Sequence, residues 1–188
     1  MFSEALLFLI DALVQPFAAV LLFRFHAVWL RVPMRNPLGE FVLAITDFIV
    51  LPLRRRLPPV AGLDSATLLL AFGFEFIYLA AFIGLQGYDY AVFPLPGLLF
   101  WALVKLLKLS LYLLMLSLVV EAILSWVNPH TPLAPLLAAV NRPFVQPLRQ
   151  RMPLLGGIDL SILVLLLVCQ LILIVPVGAL ERVATGLL

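Results

Sequence analysis

Four stretches of this chain are long and apolar enough to cross a lipid bilayer as helices, and they restrict its fold more than any other feature. A membrane-crossing helix needs about 20 mostly apolar residues, and such runs occupy residues 5–23, 66–83, 98–126 and 160–180. They lack the alternation of barrel strands, and a helix satisfies its own backbone hydrogen bonds in lipid. The pattern predicts an all-α membrane protein with four transmembrane helices, kinked or ended at Pro16 and Pro176.

The composition agrees with a location in the membrane. Apolar residues make up 64% of the 188 positions and charged residues only 12%, against about 25% charged residues in a typical soluble domain. A chain of this length cannot bury so much apolar surface in its own core, so the excess must face lipid. The single cysteine, Cys169, excludes an intrachain disulfide.

The chain aligns with itself at a shift of 95 residues, which places residues 37–64 over residues 132–159. Eleven of these 28 positions are identical: 37, 38, 44, 50, 52, 53, 54, 56, 58, 62 and 64 with their partners. Self-similarity at a fixed period indicates a structural repeat. The alignment predicts two tandem repeats, residues 1–88 and 98–188, joined by a short linker at 89–97.

Each repeat is predicted to contain a helix, a short amphipathic helix, a basic loop and a second helix. The short helices, at about 38–51 and 133–146, begin with the N-cap signals Asn36-Pro37 and Thr131-Pro132. They are too short to span, so they are expected in the interface or dipping in under protein cover. Prolines flank the arginines that follow, which predicts a stiff loop, and Asp64 or Asp159 is expected to cap the next span.

The charges of the connecting segments predict the topology. Residues 30–63 and 127–158 are rich in arginine, whereas residues 87–97 contain no lysine or arginine. The positive-inside rule then places both basic loops in the cytoplasm and both termini outside. Lys105 and Lys108, at the outer end of the third span, oppose this orientation. Two hairpins of equal topology predict a pseudo-twofold axis along the membrane normal.

These motifs resemble the YggT family of small membrane proteins. The second half carries the family pattern more fully, in the residues Trp126, Pro147, Arg149, Arg151, Pro153, Gly157, Ile158, Asp159, Leu160 and Ser161. The first half departs from it, with Ala66 where the second has Ser161 and with Trp29 two places out of register. The resemblance implies a bacterial inner-membrane protein linked to osmotic and potassium stress or to envelope and division processes. Chloroplast relatives act in attaching haem to a cytochrome b and in organising nucleoids, and the resemblance supplies no catalytic residue.

The arginines of the two basic stretches are the first candidate site. We expect Arg54, Arg56, Arg149 and Arg151 to bind anionic lipid headgroups or an acidic partner, because each charge near the surface contributes about 1 kcal/mol to such binding. The alternative is that these residues only fix the topology. The flanking prolines favour binding, since orientation alone needs no stiff segment.

Polar residues within or near the spans form the second candidate set. Charge in hydrocarbon is costly, so such side chains usually face protein; they are Asp11, Arg24, Glu75, Lys105, Lys108, Glu121 and Gln170. The 95-residue shift predicts that Asp11 lies by the two lysines and that Glu121 lies by Arg24. These groups could form an ion or proton path, but pairing between helices is the favoured interpretation.

The sequence therefore predicts a non-enzymatic membrane protein, without a cofactor, that acts as a scaffold, an assembly factor or an osmotic-stress factor. His26, His130 and Cys169 do not form a metal-ligand set, and Ser161 has no neighbouring base that would activate it. The expected partners are anionic lipids and other membrane proteins, with self-association also compatible and no nucleic acid expected. The main alternative is a small ion channel or transporter subunit.

Overall fold

The structure, a computed structural model, describes residues 2–60, 62–87, 93–128, 130–151 and 160–188. The elements in chain order are α1 (Phe2–Trp29), α2 (Pro37–Arg56), α3 (Ser65–Leu85), α4 (Leu95–Val127), α5 (Ala134–Arg149), α6 (Leu160–Ile172), a π turn (Leu173–Val177) and α7 (Gly178–Gly186). Four continuous helices are long and apolar enough to cross a membrane: Ser3–Trp29, Ser65–Leu85, Leu95–Val127 and Leu160–Gly186. The prediction of an all-α membrane protein with four transmembrane helices is confirmed.

The two prolines inside the spans act differently from each other. Helix α1 continues through Pro16 to Trp29. At Pro176 the fourth span widens into the π turn, where the Gly178 amide bonds the carbonyl of Leu173 instead of the carbonyl four residues back. A proline ring clashes with the carbonyl four residues earlier, and the wider turn relieves that clash. The helix then continues to Gly186, beyond the predicted end at residue 180.

The predicted basic loops are wrong for Arg54, Arg55, Arg56 and Arg149, which lie in the last turns of helices, whereas Arg151 lies in the turn that follows α5. Helix α2 runs through Pro52 to Arg56, and α5 runs through Pro143 and Pro147 to Arg149. A proline inside a helix removes one hydrogen bond, but buried packing on either side, as at Val50, keeps the helix intact. Cations in a last turn also interact favourably with the negative end of the helix dipole.

The caps of the short helices match the prediction in one half only. The Asn36 side chain accepts a hydrogen bond from the Gly39 amide at 2.9 Å, and Pro37 is the first helical residue. In the second half the helix begins at Ala134, and no side chain caps it. The predicted Thr131 cap is therefore wrong.

The short helices pack across the pairs of long ones. Helix α2 contacts α1 and α3, α5 contacts α4 and α6, and the α3–α4 and α1–α4 contacts join the two halves. Helix α2 buries Val42, Thr46 and Val50 against these neighbours, whereas Phe41 and Phe48 are exposed. The order long, short, long occurs twice along the chain, and the pseudo-twofold relation between the halves stays a prediction.

The carboxyl-terminal helix packs against the start of α4. Gly97 is buried there, and a Cβ atom on it would lie 2.7 Å from the Leu187 carbonyl oxygen. Only a residue without a side chain allows the two backbones to approach so closely. Lys108 and Glu181 hold the same helices together through an ion pair of 2.8 Å.

Candidate functional site

A buried arginine joins the first span to the first short helix. The Arg24 side chain is only 3% exposed, and its Nη1 donates to the Thr46 hydroxyl at 2.6 Å and to the Asp47 carboxylate at 2.7 Å. The Thr46 hydroxyl in turn donates to the Val42 carbonyl at 2.5 Å. A charge in hydrocarbon requires such partners. The pair therefore fixes α2 against α1.

A second polar group joins the third span to the second short helix. Ser117 donates to the side-chain oxygen of buried Asn141 at 2.5 Å, and the Asn141 amide donates to Glu121 at 2.7 Å. Arg149 also lies 3.8 Å from Glu121. Thr46 and Asn141 are 95 residues apart. The polar residue of the short helix that binds the preceding span therefore has the same position in both repeats.

The predicted pairing of Glu121 with Arg24 is wrong, because each residue binds its own half's short helix. Their actual partners were not predicted from the sequence: Thr46 and Asp47 for Arg24, and Asn141, which also binds Ser117, for Glu121. A signal was present, since Thr46 and Asn141 coincide in the 95-residue alignment and both are polar.

A third polar cluster lies between α1, α3 and α4. Glu75 is 0% exposed, and the Gln15 amide donates to its Oε2 at 3.1 Å, while Oε1 has no hydrogen bond within the described chain. Asp11 and Lys105 both lie close enough to Glu75 for electrostatic interaction. The Lys105 ammonium is 4.9 Å from the centre of the Tyr78 ring. The buried Glu75 carboxyl group thus has one acidic and one basic side chain nearby.

The predicted pairing of Asp11 with Lys108 is also wrong, whereas its pairing with Lys105 stays a prediction. Asp11 lies close enough to Tyr78 and Glu75 for electrostatic interaction, and Lys108 pairs with Glu181. Glu181 was not recognised from the sequence, because it lies beyond the predicted end of the fourth span.

At the basic end of α2, Arg54 forms an ion pair with the buried carboxylate of Asp64. Asp64 caps α3, as predicted, by accepting from the Thr67 amide at 3.4 Å, and it also accepts from the Thr67 hydroxyl. Burial alone raises the pKa of Asp64, but the hydrogen bonds from Arg54 and Thr67 outweigh it, so the pKa lies below its ordinary value.

The other arginines at these ends remain exposed. Arg55 and Arg56 line an open cavity of about 520 Å³ whose walls include Pro52, Leu53 and Leu70. Arg151, which aligns with Arg56, is also exposed. The structure thus divides the predicted arginines: Arg54 and Arg149 face carboxylates of the same chain, whereas Arg56 and Arg151 face outward.

The remaining predicted residues are not gathered into one site. Trp126 and Pro147 are exposed, Ser161 is buried, and Gln170 is exposed in the middle of the fourth span. Pro153, Gly157 and Asp159 lie outside the described residues. Among the residues that are described, no group of three or more His, Cys, Asp or Glu side chains could hold a metal ion.

The sequence is similar to one family across nearly its whole length. The profile described as CCB3/YggT matches residues 3–85 and 100–180. The uncharacterized protein YggT of Escherichia coli K12 is 33% identical over 185 residues, which cover 97% of this chain and 94% of that protein. An uncharacterized protein of Pseudomonas aeruginosa is 31% identical over 172 residues, covering 90% and 87%. No solved structure matches.

Proposed function

The chain belongs to the CCB3/YggT family, and from that premise we propose that it is a non-enzymatic scaffold of the bacterial inner membrane that binds anionic lipid headgroups. The scaffold gathers lipids and membrane-protein partners in assembly of the cell envelope or in its response to osmotic stress. The arginine-lined cavity at the end of α2 is the observation that supports this function most directly.

The cavity has the two properties that a phospholipid requires. Its walls are apolar at Ile49, Leu53 and Leu70, and Arg55 and Arg56 also line it. Guanidinium groups bind phosphate bidentately, while the apolar wall suits the first part of an acyl chain. Phe41 and Phe48, exposed on the same short helix, add apolar surface for lipid contact.

The two arginines that pair with carboxylates of the same chain have a different role in this proposal. Arg54 and Arg149 neutralise Asp64 and Glu121, so they stabilise the protein. Recognition then depends on Arg55, Arg56 and Arg151. Both basic ends lie on the cytoplasmic side, where the surface of the membrane carries the negative charge that attracts such residues.

The experiment exchanges arginine for lysine, which keeps the positive charge and therefore the topology. Arg55, Arg56 and Arg151 are replaced together by Lys, and Arg35→Lys with Arg142→Lys is the matched control at exposed arginines elsewhere. The phosphatidylglycerol bound to each purified protein is measured by native mass spectrometry. We expect a loss on the order of tenfold in the triple variant, because lysine lacks the guanidinium fork, and no loss in the control. Equal lipid binding in all proteins would reduce these arginines to topology determinants.

A small channel or transporter subunit is the second candidate, and buried Glu75 favours it. A carboxyl group in the middle of a span, with one oxygen unbonded and Asp11 and Lys105 nearby, has the features of a proton or cation relay. The variant with Glu75→Gln and Glu121→Gln distinguishes the candidates when it is assayed beside the three-lysine protein at equal membrane levels. Loss of osmotic tolerance only in the glutamine variant would favour conduction and contradict the scaffold.

A further inference from the structure

Gln170 is a polar side chain on the lipid-facing surface of the most apolar span. It is the eleventh residue of the helix that begins at Leu160 and whose span continues to Gly186, so it is near the middle of the bilayer. It is exposed, and its amide forms no hydrogen bond within the described residues. An amide that faces hydrocarbon without a partner is costly, which indicates that another protein surface covers it.

The neighbours of Gln170 on this surface form the pattern of a helix pair. Leu163, Leu167 and Ile174 are 54%, 57% and 60% exposed. Together with Gln170 they are separated along the chain by four, three and four residues. This is the heptad spacing of the contact seam in left-handed helix packing. Its last member, Ile174, lies in the π turn, beyond which the helix changes phase.

We infer that this seam, Leu163–Leu167–Gln170–Ile174, is the interface between two copies of the chain. All copies share one topology in the membrane, so a twofold axis along the membrane normal pairs the α6 helices in parallel and at equal depth. Gln170 then meets Gln170 of the partner subunit. An amide both donates and accepts, so the two side chains satisfy each other, and such polar contacts are a common source of helix association in lipid.

The self-complementarity of the amide is what selects a second copy as the occupant. A single polar residue in an apolar seam also fixes register, since any axial shift leaves both amides unpaired. The inference does not depend on the basic cavity, which lies on α2.

Cysteine cross-linking in native membranes tests the interface. Cys169 is first replaced by Ala, and then single cysteines are placed at Leu163, Leu167 and Ile174, so that Gln170 is kept in every variant. The matched controls are Phe8→Cys on α1 and Ile77→Cys on α3, which are exposed on other spans. We expect disulfide-linked dimers on oxidation at the seam and none at the controls. Cross-linking at the controls to the same extent, or an adduct heavier than a dimer at the seam, would overturn the inference.

A second measurement keeps the wild-type cysteine and follows association by energy transfer in proteoliposomes. Gln170→Leu is expected to weaken dimerisation about tenfold, whereas Gln170→Asn keeps both donor and acceptor and should retain most of it. Dimerisation of Gln170→Leu as tight as that of the wild type would contradict the role of the amide. Neither result depends on lipid binding, so failure here and failure of the scaffold proposal are distinguishable.

Discussion

Arg54 and Arg56 are two residues apart in one helix, yet they have different surroundings. Arg54 pairs with the buried carboxylate of Asp64, whereas Arg56 is exposed beside the cavity. We expect Arg54→Ala to lower the free energy of unfolding by roughly 1–3 kcal/mol, because it removes the counter-charge and one hydrogen bond from a buried carboxylate. Arg56→Ala should change it by less than about 0.5 kcal/mol. Thermal unfolding in detergent measures both, and equal effects would show that the Asp64 pair contributes nothing.

The same carboxylate predicts a pH dependence. A group whose pKa falls on folding stabilises the folded state above its ordinary pKa, here 3.8, and this contribution is lost as the pH falls through the lower folded-state pKa. We expect the melting temperature of the wild type to fall in the acid range below 3.8 by more than that of Asp64→Asn. The measurement is a series of melting curves on both proteins from neutral pH downward. Parallel curves would contradict the lowered pKa.

At the scale of elements, the attachment of α2 to α1 is asymmetric. Arg24 is buried, while the side chain of Asp47 is 40% exposed. Asp47→Ala leaves a buried guanidinium without its counter-charge and should lower the free energy of unfolding by about 3–5 kcal/mol. Arg24→Met removes the buried charge, and Asp47 can then be hydrated. The free energy of unfolding should therefore fall by less in Arg24→Met than in Asp47→Ala. Denaturant unfolding measures the stability of both variants, and a larger loss of stability in Arg24→Met would contradict this expectation.

The attachment of α7 to α4 depends on the absence of a side chain at Gly97. A methyl group there meets the backbone of Leu187, which cannot move as a flexible side chain can. We expect Gly97→Ala to speed hydrogen exchange in residues 178–186 by about tenfold or more. Gly73→Ala is the matched control, since a Cβ at Gly73 meets nothing within 4 Å. An unchanged exchange rate in Gly97→Ala would show that the close approach of α7 and α4 at Gly97 does not hold α7 in place.

At this scale the helices were easier to predict from the sequence than the contacts between them. Apolar length predicted all four spans, and Asp64 was identified as a cap from its place before a span. The partners of Arg24 and Glu121 could not be predicted by placing the two halves side by side, because the short helices lie between the spans and supply them. Proline disfavours helix locally, so the basic stretches read as loops in the sequence. In the structure, tertiary packing at Val50 offsets the hydrogen bond that Pro52 removes, and the helix continues.

For the whole molecule, the testable quantity is orientation. Both short helices follow the carboxyl-terminal ends of spans one and three, so the basic ends are expected on one side of the membrane. We expect alkaline phosphatase fused after Gly87 or Leu188 to be active, because it lies outside. A fluorescent protein inserted after Arg151 should fluoresce in the cytoplasm. The opposite pattern would reverse the topology and remove Arg55, Arg56 and Arg151 from the anionic cytoplasmic surface.

The buried Arg24 pair has a consequence for biosynthesis. Its partners Thr46 and Asp47 follow it by 22 and 23 residues in the chain. Ribosomes add about 5–20 residues per second, so the guanidinium reaches the insertion machinery roughly one to four seconds before its counter-ion is made. During that delay the translocon or its associated chaperones must shelter the charge, or the nascent first span slides to keep it in the headgroups. Slowing translation between codons 24 and 47 should therefore lower the yield of correctly inserted protein.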